Sequence, residues 1–224
     1  MTTTDVVSPS RPSTPAGALV ELLEGNRRFV VGRPEHPNQD SAHRARSAAG
    51  QRPFAVILGC SDSRVAAEIV FDRGLGDLFV VRTAGHLLGA EVLASVEFAV
   101  LDLDVPLVVV LGHDHCGAVK AAVAAHDSGH SPSGHRRLVV ERLSPEILRA
   151  QADGICDREA ITRLHIASTA QRLLDEAPAL RRRVEVGRCA VAGLGYTLAE
   201  GYVRQVVAHG NLPRSSAATT RARS

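Results

Sequence analysis

Two short clusters in this chain bring together residue types that hold metal ions. The first is Cys60-Ser61-Asp62-Ser63-Arg64, and the second is His113-Asp114-His115-Cys116-Gly117. His113 and Cys116 lie three residues apart, a spacing that lets both clasp one ion at the start of a helix. Cys60 adds a second sulfur from elsewhere in the chain. Two sulfurs and one imidazole suit Zn²⁺, and three protein ligands leave a fourth position open, as catalytic sites do. Asp62 and Arg64 form a carboxylate–guanidinium pair, which stays ionised and can hydrogen-bond in bidentate fashion. Beside a metal-bound water, Asp62 can take the water's proton in a hydrogen bond and orient a lone pair. It can also swing onto the metal as the fourth ligand and switch the site off. Zn²⁺ lowers the pKa of bound water to roughly 7, and the hydroxide attacks an electrophilic carbon. Peptide, amide, deamination and carbon dioxide chemistry all use that step, so the residues leave the substrate open.

Other readings of the same residues are weaker. His115 competes with His113, but ligation by the adjacent His115 and Cys116 is geometrically harder than the three-residue spacing. Cys156 and Cys189 read as small buried hydrophobes. A closed structural site needs a fourth Cys or His, and Cys156 in GICDR looks like part of an inter-helix turn. A thiol redox pair of Cys60 and Cys116 lacks the CxxC spacing. The histidines of HDSGHSPSGH (residues 126–135) read as a solvated surface loop.

The elements that must position these clusters alternate. FAVILG (54–59), LFVV (78–81) and LVVVL (107–111) are unbroken apolar runs, and RCAVA (188–192) is a weaker one. Such runs suit parallel strands covered on both faces. Helical patterns cover 65–71, 90–101, 117–125 and 160–174, and an amphipathic helix covers 16–31 before them, with a short one over 41–49. The alternation predicts an α/β fold: a mainly parallel four-stranded sheet flanked by helices, with an N-terminal helical arm. Residues 195–203 are expected to add a short antiparallel edge strand. Both reactive clusters directly follow strands. In open α/β sheets, ligands bind at the carboxyl ends of strands near a topological switch point, so the clusters can converge there.

Composition sets the bounds. The 224 residues are 45% hydrophobic but only 3% aromatic, without tryptophan, so the core must be mostly Val, Leu, Ala and Ile. Against 26 basic residues stand 24 acidic ones, which argues against a nucleic-acid partner. No run approaches the ~20 apolar residues of a membrane span. The start of the chain has no secretory pattern, which points to the cytoplasm and to free thiols rather than disulfides. Residues 1–16 are expected to be disordered, 17–211 to form one domain, and 212–224 to be a flexible tail.

At the two clusters the sequence resembles the β-class carbonic anhydrases. The resemblance rests on CSDSR (60–64) and HDHCG (113–117), with VRTAGH (81–86), SVEFAV (95–100), VPLVVVLGH (105–113) and EGNRRFVVGRPEHP (24–37). It implies one Zn²⁺ per subunit on Cys60, His113 and Cys116, and a catalytic dyad of Asp62 and Arg64. It also implies reversible hydration of carbon dioxide to bicarbonate and a proton by zinc-bound hydroxide. A homodimer or homotetramer follows, with the N-terminal helix on the neighbouring subunit and an apolar cleft at the interface. Three positions depart from many relatives: Thr83 and His86 stand where Asn is common, His115 fills a variable position, and Ile57 replaces a Trp that some relatives use to hold a non-catalytic bicarbonate. His86 and His115 are candidate proton shuttles. Relatives that hydrolyse carbon disulfide or carbonyl sulfide share the zinc ligands.

Overall fold

A computed structural model describes residues 11–213. The expectations for residues 1–10 and 214–224 lie outside the described residues. Helix α1 (Pro15–Val30) starts after Thr14, whose hydroxyl accepts the Gly17 N–H at 3.2 Å. Pro15 suits this first turn because its missing N–H would have no helical partner there. Helix α2 (Ser41–Ser47) follows, capped by Asp40.

Strands β1 (Ala55–Cys60), β2 (Leu78–Thr83), β3 (Leu107–His113) and β4 (Ala190–Tyr196) form a parallel sheet in the order β2-β1-β3-β4. Every residue of β1 and β3 is buried, which is why these strands read as unbroken apolar runs. Between the strands run α3 (Ala67–Val70), α4 (Ala90–Leu101), α5 (Gly117–Ser128), α6 (Arg137–Ala152), α7 (Arg158–Glu176) and α8 (Pro178–Glu185). One face of the sheet packs Ile57, Val109 and Leu111 against Leu19, Leu22 and Phe71. The other packs Val56, Leu58, Val108 and Val110 against Val96, Ile166 and Leu173. The chain leaves β1 towards β2 on one side and later returns to β3 on the other. The switch point therefore lies between the carboxyl ends of β1 and β3.

The structure differs from the sequence reading in the edge strand and in helices α6 and α8, α8 having no counterpart in the reading. The antiparallel edge strand exists, but as β5 (Val203–His209) rather than 195–203. Gly195 and Tyr196 finish β4, and a turn closed by Thr197 N–H to Tyr202 O at 2.9 Å separates the two strands. Helix α6 had no counterpart in the reading, because Pro145 interrupts its pattern. Helix α1 packs one face on its own chain. Ala18, Leu19 and Leu22 are buried there. Asn26 staples the helix down: its amide donates to Val70 O at 3.1 Å and Gly201 O at 2.8 Å, and its carbonyl accepts the Val203 N–H at 2.9 Å.

A second staple holds the segment after α1. The buried Asp72 carboxylate accepts from Arg28 Nε at 2.6 Å, Glu35 N–H at 3.0 Å and His36 N–H at 2.9 Å. Burial pushes its pKa up, but these donors outweigh that and hold it below the ordinary carboxylate value. Because the folded pKa is depressed, the stabilisation is present above the unfolded pKa of about 4 and is lost as pH falls below it. Asp72→Ala is expected to lower stability by about 2–3 kcal/mol at neutral pH. Urea unfolding at falling pH should show the gap between wild type and variant shrinking below about pH 4. A gap that stays constant would mean that the carboxylate charge is not its source.

Candidate active site

Cys60 is the last residue of β1 and His113 the last of β3. Cys116 is the cap residue of α5, two residues beyond the His113–Asp114 strand end. Their ligand atoms all lie within 4.8 Å of one another, and all three residues are buried. Tetrahedral zinc with Zn–S bonds near 2.3 Å puts two sulfurs about 3.8 Å apart, so the cluster has the right size.

The imidazole is set for a metal. His113 Nδ1 lies 2.7 Å from Asp114 O, a partner that can only accept, so the ring proton sits on Nδ1. Nε2 is left buried with no hydrogen-bond partner among the described residues, its lone pair aimed into the cluster. Asp114 is itself fixed: its N–H donates to Tyr196 O at 3.1 Å, and its side chain accepts the Leu198 N–H at 2.9 Å.

The two sulfurs influence each other's protonation in opposite directions. The neighbouring Cys116 thiol has the largest influence on Cys60. Against the cost of burial, it and His113, with the Asp62 and Gly85 N–H groups, hold the Cys60 thiol below its ordinary value. Cys116 is pushed up by its hydrogen bond to Cys60 and by burial. Burial opposes charge on His113, yet the adjacent Cys60 sulfur raises its pKa overall. These shifts favour negative charge on Cys60 with protons on Cys116 and His113. A divalent cation would displace those protons and take over the thiolate charge.

Asp62 was expected in two roles, and the structure shows it in the arrangement of one. Its Oδ1 accepts from Arg64 N–H at 3.0 Å and Nε at 2.9 Å, and its Oδ2 accepts from Arg64 Nη2 at 2.7 Å. Arg64 thereby holds the Asp62 carboxyl far below the usual carboxylate range. Oδ2 stands 3.9 Å from His113 Nε2, beside the metal cluster but outside it.

Sequence reasoning missed the residues that hold the motif in place. Arg82 donates from Nε to Cys60 O at 2.9 Å and from Nη2 to Asp62 O at 2.6 Å, which pins the turn after β1. The signal was a lone arginine in the otherwise apolar run LFVVRT. Gly85 donates its N–H to Cys60 Sγ at 3.3 Å. Its φ is 66°, and an added Cβ would meet the Ala118 Cβ at 2.7 Å, so the position requires glycine.

A cleft of about 340 Å³ opens on Cys60 and Asp62, walled mostly by Ala84, Ala118, Ala121, Pro132 and Val139. A larger cleft of about 500 Å³ carries Lys120, Asp157, Arg158 and Glu159 and touches the metal cluster at Cys116. The smaller cleft is the one that combines an apolar wall with the Asp62 carboxylate.

The model of the carbonic anhydrase family matches residues 55–203 of the chain. Carbonic anhydrase 2 of Mycobacterium tuberculosis is 52% identical over 191 residues, covering 85% of this chain and 92% of that protein. The carbonic anhydrase of Mycolicibacterium smegmatis is 49% identical over 191 residues, covering 85% and 93%. Among solved structures, the Coccomyxa β-carbonic anhydrase in complex with acetazolamide matches with a TM-score of 0.67 at 25% identity, covering 84% of this chain and 85% of that one. The chain belongs to the β-class carbonic anhydrases.

As a β-class carbonic anhydrase, the protein is a zinc enzyme that hydrates carbon dioxide. The positions singled out in the sequence acquire structural meanings. Thr83 donates its hydroxyl to Leu87 O at 2.9 Å and closes the turn behind the site. Ile57 is wholly buried in the core. His86 is buried too, and burial pushes its pKa well below the ordinary histidine value. His115 is exposed and lines the larger cleft. Cys156 is exposed between α6 and α7, and Cys189 is buried apart from the site.

Proposed function

We propose that Cys60, His113 and Cys116 hold one zinc ion per subunit and that Asp62 and Arg64 serve the reversible hydration of carbon dioxide to bicarbonate and a proton. The observation that carries this reading is the buried, unpartnered His113 Nε2, with two sulfurs close by and Asp62 Oδ2 3.9 Å away. Zinc bound there supplies a Lewis acid that brings the pKa of water from about 15.7 to about 7. The rest is the work of this chain. Asp62, ionised and held by three hydrogen bonds from Arg64, can only accept. The attacking water must therefore donate its proton towards Oδ2, which turns an oxygen lone pair into the cleft. The alanine, proline and valine wall favours a small linear apolar molecule, and Arg136 at the same cleft offers a positive charge to the anionic product. For Asp62 to become a fourth ligand it must break all three contacts with Arg64, so the paired arrangement is the active one.

The subunits form a homodimer or homotetramer. In support, β2 is an edge strand of the sheet, and Phe98 and Leu101 are exposed on α4, with Phe98 packed 6.2 Å from Phe79 of β2. A site built on two thiols favours the reducing cytoplasm. Among the described residues no helix is long and apolar enough to cross a membrane. Stopped-flow hydration with a pH indicator, at pH 8 to 9, tests the reaction. A rate above buffer that disappears on zinc removal is expected, and a rate equal to buffer overturns the reading.

A further inference from the structure

We propose that His165 of α7 is a positioning residue for Cys60, acting through the backbone of Gly85. This rests on the reading of Cys60 as a zinc ligand. His165 Nε2 lies 2.8 Å from Gly85 O, and the Gly85 N–H donates to Cys60 Sγ at 3.3 Å. The carbonyl can only accept, so His165 carries its proton on Nε2 and donates it. Gly85 is the centre of a three-residue turn, Ala84–His86, and glycine is the residue least restrained by its own sterics. His165 grips its carbonyl from 80 residues away and so fixes where the neighbouring N–H points.

The surroundings keep the imidazole in that role. His165 is 1% exposed, and the His86 ring stacks on it at 4.3 Å between centroids. Helix α7 lies close to the sheet because Gly112 and Gly193 have no side chains. An added Cβ at these positions would meet Ile166, the residue after His165, at 2.5 Å and 2.7 Å. Burial is the largest influence on His165 and keeps it neutral, as a steady donor requires. An N–H···S bond draws charge from a thiolate, and contacts of this kind beyond the ligands typically change metal affinity about 10–100-fold.

His165→Phe removes the donor while filling the space, and His165→Gln keeps an N–H near the same place. Zinc affinity by chelator competition is expected to fall about 10–100-fold in His165→Phe and to recover in His165→Gln. In the cobalt-substituted proteins, the sulfur-to-cobalt charge-transfer band should shift in the first variant and return in the second. Simple loss of packing would leave that band in place. Wild-type affinity and band in His165→Phe overturn the proposal, and so does a His165→Gln variant as weak as His165→Phe. If His165→Phe does not fold, wild type loaded with ¹¹³Cd decides through the scalar coupling between the Gly85 amide proton and the metal. Its presence supports the proposal and its absence overturns it. A wild type without any charge-transfer band would instead sink the ligand reading itself.

Discussion

Cys116→Ala is expected to lose its zinc and to bring carbon dioxide hydration down to the buffer rate while the chain stays folded. On the proposed ligand set, Cys60 and His113 alone cannot close the site. Without the metal, water in the cleft returns to a pKa near 15.7, and almost no hydroxide exists at neutral pH. The fold should survive because Cys116 packs at the margin of a cluster with Val119, Val140 and Leu143, whose contacts remain. A small buried truncation of this kind costs about 1 kcal/mol. The other two cysteines are the controls. Cys156→Ala changes an exposed thiol and should alter neither zinc content nor rate. Cys189→Ala opens a small gap between β4 and the helices and should lower thermal stability with the metal still bound. Zinc per subunit by elemental analysis, beside stopped-flow rates, separates the three. One tightly held zinc and full turnover in Cys116→Ala would mean that the ligand set is wrong.

The Cys60–His113–Cys116 cluster was legible in the sequence because Cys60 and His113 end strands that could be read and Cys116 follows His113 three residues later, at the cap of α5. β1 and β3 are wholly buried, so their apolar runs are unbroken and their ends are marked by the first polar residues, in CSDSR and HDHCG. A parallel sheet then forces those ends to the same edge, and the switch point between β1 and β3 places them side by side. What was not legible depends on contacts between distant segments. Nothing in REAITRLHIAS says that His165 meets Gly85, because a histidine on a buried helix face is ordinary and the approach of α7 is set by two glycines elsewhere. Asn26 looked like one polar residue in an amphipathic helix, yet it bonds to the ends of α3 and the β4–β5 turn. Helix α6 hid behind Pro145, and β5 was misplaced because local alternation cannot say where one strand ends and the next begins.

Asp62→Asn separates metal binding from the work of the dyad. The two side chains have nearly the same shape, and neither Cys60, His113 nor Cys116 changes, so zinc should remain at one per subunit. The asparagine amide presents a carbonyl and an NH₂ group where the carboxylate presented two acceptors. If the carbonyl stays with Arg64, the NH₂ group faces the attacking water and repels the proton that Oδ2 would have accepted. If it flips, a donor faces the guanidinium and the pair comes apart. Either way the water loses its oriented acceptor, and kcat is expected to fall about a hundredfold or more. Arg64→Ala tests the other half of the pair. It leaves the acceptor but removes all its side-chain restraint, since both guanidinium contacts to Asp62 come from Arg64. Its loss of turnover should be smaller than that of Asp62→Asn, because an unrestrained carboxylate still accepts part of the time. Full turnover in Asp62→Asn with zinc in place would remove Asp62 from the reaction and leave its pairing with Arg64 as a structural contact of the turn.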